Sequence, residues 1–227
     1  MADDIDTPGA WRQATAALLL VPVLGLGLWL LGRTASSDRA PSPAKCSGGE
    51  HGKAPGHAPR RVSGAQLCAA LNRADLPELL GTPGEKPNSA SGSGGSLRLA
   101  DGREIATPSA RVEFESFTVT LSATYDRFPV TGAVTLLGSG ARQRTVLGRP
   151  GVLYTDRTIR IRFRLDGGDS DSGPGVPVRT LAVALDAKDS GGSLEVSLWR
   201  SDGVLPDDAV LLRVAEKVLP TVPGWAS

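Results

Sequence analysis

One stretch restricts this chain more than any other. Ala14–Gly32, ATAALLLVPVLGLGLWLLG, carries no charged side chain. A hydrocarbon layer about 30 Å thick takes roughly 20 such residues as a helix. In lipid a lone segment satisfies its backbone groups only as a helix. A buried core helix usually keeps a polar face, and this run has none. A signal peptide has a basic leader and a shorter apolar run; here Asp3, Asp4 and Asp6 outnumber Arg12. The run is therefore expected to be a retained transmembrane helix at residues 14–32, behind a disordered tail at 1–13. Pro22, Gly25 and Gly27 are compatible with it, and Trp11 and Trp29 stand near its two ends, where indoles favour the headgroup layer.

Two signals disagree about orientation. Arg12 precedes the run, whereas Arg33, Arg39 and Lys45 follow it, and that count puts the C-terminal part in the cytoplasm. Cys46 and Cys68 point the other way. In an exported chain they are expected to form a disulfide; in a reducing compartment they stay two thiols. Lys45 directly precedes Cys46, so Cys46 is not a lipidation site.

Residues 33–61 are rich in Pro, Gly, Ser and charge and read as a disordered linker. The folded part is expected over 62–227. Ser63 and Gln66 match a capping box, with Val62 and Leu67 as its hydrophobic staple. Asp75 and Glu78 resemble a second box, and Gly81 with Pro83 ends that helix. TPGEKPNSASGSGGS, residues 82–96, reads as a low-complexity loop. The apolar period then drops to 2. Arg111–Leu121 reads as one strand with a bulge near Glu115–Ser116, followed by strands at Ala133–Leu137, Gln143–Leu147 and Val152–Tyr154. Thr158–Leu165 alternates, with Ile159, Ile161, Phe163 and Leu165 inward and Arg160, Arg162 and Arg164 outward. Further strands are expected at Arg179–Leu185 and Ser193–Trp199. A last helix has Pro206 in its first turn, Asp207 and Asp208 at its positive end, and an apolar stripe of Val210, Leu211, Val214, Val218 and Leu219. The expected fold class is α+β: a transmembrane helix and linker, then an antiparallel sheet with the N- and C-terminal helices packed on one face.

Three segments carry a family likeness: CAALNRADLPELLGTP, LGRPGVLYTD and VAEKVLPTVPGW. They resemble uncharacterised membrane-anchored proteins of actinobacteria. Their order is also similar to actinobacterial secreted lipoproteins of unknown role, whose lipidation cysteine this chain lacks. The resemblance covers roughly residues 62–227. It implies an extracytoplasmic domain and no known activity.

No residue set points to a reaction. Net charge is +1 and aromatics make up 4%, which argues against a nucleic-acid partner. The two histidines, His51 and His57, lie in the linker, and no G-x-S-x-G elbow is present, so catalysis is not expected. Cys46, His51, His57 and Cys68 match no zinc spacing. Asp166, Asp169 and Asp171 lack the closing glutamate of a calcium loop, since Thr180 stands there. No cofactor or metal is expected. Arg160, Arg162 and Arg164 form either an anion or partner surface or a solvated strand face paired with Glu113 and Glu115. The sequence is thus expected to encode a single-pass cell-membrane protein. Its extracytoplasmic, non-catalytic domain would bind a protein or cell-envelope component; a cell-envelope hydrolase and a cytoplasm-facing regulator are the alternatives.

Overall fold

The computed structural model describes residues 44–48, 61–164 and 169–225, so the expected span at 14–32 lies outside the described residues. Among the described residues no helix is long and apolar enough to cross a membrane. They form one eight-stranded sheet: β1 (Ser47–Gly48), β2 (Ser89–Arg98), β3 (Glu104–Glu113), β4 (Phe117–Thr124), β5 (Arg142–Val146), β6 (Arg149–Arg162), β7 (Asp171–Ala184) and β8 (Ser193–Arg200). Its order is β1-β2-β3-β4-β8-β7-β6-β5. The β1–β2 pair is parallel and the other pairs are antiparallel. The helices are α1 (Gly64–Leu71), α2 (Leu76–Leu80), α3 (Ala133–Leu137) and α4 (Asp208–Val218). The class is α+β.

The start of α1 follows from its sequence. The Gln66 N–H donates to Ser63 Oγ at 3.2 Å, and the Ser63 N–H donates to Gln66 Oε1 at 2.8 Å. Val62 and Leu67 are both buried, as the staple requires. Gly81 ends α2 in the left-handed region, at φ 84°. The second expected capping box is absent, because the Asp75 carboxylate is taken by Arg73 instead. Pro206 precedes the cap residue Asp207 rather than entering α4.

The main core lies between one sheet face and α1, α2 and α4. Phe117, Val119, Leu121 and Ala123 of β4 face it, with Val112, Leu181, Val183, Val196 and Leu198 from neighbouring strands. Leu67, Leu71, Leu76, Leu211, Val214 and Val218 close it from the helix side. The opposite face holds a smaller cluster of Val130, Val152, Ala182 and Ala184, against which Val134 and Ala141 pack. The helices are therefore not confined to one face, since α3 belongs to this second layer.

Four further sequence expectations change. The Gly/Ser-rich stretch is not all loop: Ser89–Arg98 is β2, paired with β3 along its whole length. Its small residues are what admit α1. A Cβ on Gly92 would come within 2.4 Å of Gly64 O, and one on Gly64 within 2.4 Å of the Ser93 backbone. Arg111–Leu121 is not one bulged strand but the β3–β4 turn, where the Phe114 N–H donates to Phe117 O at 2.8 Å. The change of parity there marks a reversal of direction, which puts Val112 opposite Val119. Ala133–Leu137 is the short helix α3 rather than a strand. Finally, Val152–Tyr154 and the following Thr–Ile–Arg repeat belong to one strand, β6. Ile159 and Ile161 at its far end, and Phe163 just beyond it, are 78%, 57% and 74% exposed, not inward. Leu165 lies outside the described residues.

Candidate functional site

Cys46 and Cys68 form a disulfide with their Cα atoms 6.0 Å apart. Ser47 and Gly48 then pair with Ser91 and Gly92, and Asn72 Nδ2 donates to Ala44 O at 2.8 Å. Residues 44–48, inside the stretch expected to be linker, thus join the folded domain.

The arginine row lies on the distal part of the β6–β7 hairpin. β8 accompanies β7 only over Val178–Ala184, whereas β6 and β7 stay paired out to Arg162 and Asp171. The hairpin therefore projects past the sheet as a two-stranded ribbon. Arg160 and Arg162 are exposed on one side of it, and Arg164 just beyond the strand is also exposed. Among the described residues neither Arg160 nor Arg162 forms an ion pair. The partners expected from sequence are elsewhere: Glu113 is on β3, held by Arg111 at 2.6 Å and by the Ser89 hydroxyl at 2.8 Å.

A second polar group was not singled out from sequence. On the sheet face away from α1 and α4, Ser91, Arg111, Thr120, Ser197, Thr180 and Tyr154 stand in one row across six strands. Tyr154 Oη donates to Glu195 Oε2 at 2.8 Å. Thr180 and Ser197, both buried, share a hydrogen bond of 3.1 Å. Burial pushes the Glu195 carboxyl above its ordinary range, against the hydrogen bonds from Tyr154 and Ser197 that favour its ionised form. Burial, with the Glu195 charge beside it, also raises the Tyr154 hydroxyl. Nearby, the Arg111 guanidinium lies 5.1 Å from the centre of the Trp199 ring. The result is a polar, partly buried sheet face with an indole, a guanidinium, hydroxyls and a carboxyl that burial biases toward its protonated form. The opposite parity of Thr118, Thr120, Ser122, Glu195, Ser197 and Trp199 was visible in the sequence. That β8 lies between β4 and β7 was not.

The edge of this face is fixed by Asp189. Its carboxylate accepts from the Val130 N–H at 2.7 Å and from the Thr131 N–H and hydroxyl at 2.9 and 2.7 Å. Burial opposes ionisation there, but these hydrogen bonds win and hold the carboxyl below its ordinary range. Among the described residues no cluster of three or more Cys, Asp or Glu side chains is placed to hold a metal ion.

A family of unknown function matches residues 6–140. The chain belongs to DUF6215. The matched stretch of this DUF6215 protein takes in the apolar run at 14–32, both cysteines and β1 to β4, and ends before β5. No curated protein and no solved structure matches the chain. Within the domain, the three segments of likeness meet one another. Arg73 of the first donates to Lys217 O of the third at 2.6 Å. Arg149 of the second stacks 3.8 Å from the centre of the Trp225 ring and donates to the Trp225 carbonyl. Their roles here are in holding the fold.

Proposed function

We propose that this DUF6215 protein is anchored in the cell membrane by a single transmembrane helix at residues 14–32. On this reading its extracytoplasmic domain is a binding module for a protein or cell-envelope component, of the kind the actinobacterial likeness implies. The Cys46–Cys68 disulfide is the observation that carries the placement, because such bonds persist in oxidising compartments and are rare in the cytosol. It weighs against the count of Arg33, Arg39 and Lys45. The family match supports treating the apolar run and the domain as parts of one unit. The binding role is supported by the face on which half-buried Trp199 and Tyr154 stand with the exposed Arg111, since aromatic and guanidinium groups are the residues that interfaces favour. A topology reporter fused after Ser227 tests the placement, and activity only in the cytoplasm rejects it. Trp199→Ala with Arg111→Ala tests the face: retention of the protein on envelope fractions falls if the face binds.

A second reading, a cell-envelope hydrolase, draws on Glu195 alone, whose raised carboxyl is suited to proton donation. Loss of an envelope-degrading activity on Glu195→Gln would favour it.

A further inference from the structure

The β6–β7 ribbon has two dissimilar sides. Ile159 and Ile161 occupy one and Arg160 and Arg162 the other, and the exposed Phe163 follows just beyond the strand. A two-stranded ribbon has no second layer of its own in which to bury an apolar row. Single exposed apolar residues are ordinary, but a contiguous row marks a contact surface. We propose that this ribbon seats on an anionic lipid bilayer, with Ile159, Ile161 and Phe163 at the acyl boundary and Arg160 and Arg162 on headgroup phosphates. This rests on the anchored placement proposed above.

Two observations select a bilayer as the occupant. The first is chemical. An apolar protein groove would cover the isoleucines and leave the arginines idle. A ribbon lying in the interface uses both rows, because guanidinium pairs with phosphate while the apolar side chains enter the boundary layer. Asp156 and Asp171 temper the ribbon's charge, so neither row suffices alone. The second is chain length. Pairing of β1 with β2 and the Cys46–Cys68 bond fasten residues 44–48 to the domain. Only residues 33–43 then separate the sheet from the apolar run, a reach of at most about 40 Å even fully extended. Since β1 is parallel to β2, the chain enters at the end of the sheet where β2 begins. That is also the end from which the ribbon projects, because Ser89 and Asp156 share a row and the ribbon starts just beyond Asp156.

The test uses the full-length protein reconstituted into vesicles of phosphatidylcholine and phosphatidylglycerol in equal amounts. With the native cysteines joined, Ile161→Cys takes a single environment-sensitive fluorophore. Leu136→Cys, at a site 76% exposed on α3, is the reference. A blue shift at position 161, quenched by acyl-chain nitroxide lipids and absent at position 136, is expected. Arg160→Gln with Arg162→Gln is expected to lower the seated-to-free ratio roughly tenfold. A carbonate wash of the same vesicles reports the anchor separately. Protein retained after the wash with an unshifted label at 161 overturns the ribbon proposal and leaves the anchor standing. Protein released by the wash with an unshifted label rejects both. Equal shifts at 161 and 136 reveal unspecific adsorption and overturn the proposal. An equal shift on phosphatidylcholine alone overturns the arginine–headgroup contact.

Discussion

β4 and the outer half of β6 have the same written pattern and opposite fates. Phe117–Thr124 and Thr158–Phe163 both alternate apolar with polar residues. In β4 the apolar residues are buried, because β3 and β8 flank the strand and α1 packs over it. In β6 the same parity runs on past Asp156, which pairs with Val178, the last β7 residue joined to β8 at this end, and there Ile159 and Ile161 are exposed. Alternation therefore tells which side chains share a face. Whether that face meets a second layer depends on strands and helices distant in sequence.

The largest expected effect tests this contrast directly. Leu121→Ala empties a fully buried site and is expected to cost about 3 kcal/mol. Ile161→Ala is expected to stay within about 0.5 kcal/mol, as a surface change. Urea midpoints at equal slope measure both. A comparable loss at Ile161 would mean that the ribbon is packed in solution and the contrast is wrong. Next in size is the disulfide. Cys46→Ser with Cys68→Ala opens a loop spanning 22 residues and is expected to cost about 3 kcal/mol in the chain-entropy model. Its loss should loosen the covered end of the sheet, where β1 pairs with β2, and leave the ribbon unchanged. Hydrogen exchange at β1 and β2 against Ile159–Ile161 separates the two ends.

What the sequence disclosed was local. The α1 cap, the Gly81 stop and the α4 stripe rest on neighbours within one turn, so they could be read directly. The alternation in β4, β7 and β8 was equally legible. Most of what escaped depended on distant partners. Ser-Ala-Ser-Gly-Ser-Gly-Gly resembles a loop by composition, and becomes β2 only because β3 pairs with it and Gly64 lies against Gly92. The Glu195–Tyr154 pair needs β6, β7 and β8 to be neighbours, which no local signal states. Arg160, Arg162 and Arg164 were correctly outward, but the isoleucines on the reverse were not inward, for the reason that separates β6 from β4. Gly92→Ala tests the close approach. The added methyl has no room beneath α1, and a loss of about 2 kcal/mol is expected from overpacking. The same change at Gly94, where a Cβ meets nothing within 4 Å, should be nearly silent.

The smallest effect belongs to Glu195 and has a definite sign. Its carboxyl is raised in the folded domain, so folding favours the protonated form. The stabilising contribution is then fully present below the unfolded carboxylate value and is lost as pH rises through the raised one. Above the raised value the wild-type carboxylate is held against its preference. Glu195→Gln removes that charge, keeps an acceptor for the Tyr154 hydroxyl, and is expected to gain stability by less than about 1 kcal/mol at neutral pH. The gain should shrink as the wild-type carboxyl becomes protonated in acid. Asp189 has the opposite sign, since its depressed carboxyl contributes stability above the unfolded value and loses it as pH falls. Denaturation midpoints of Glu195→Gln, Asp189→Asn and the wild type across the acidic range should therefore diverge in opposite directions. If Glu195→Gln instead destabilises the domain at neutral pH, the Tyr154 bond to an ionised carboxylate outweighs the desolvation, and the polar face is built around a fixed charge.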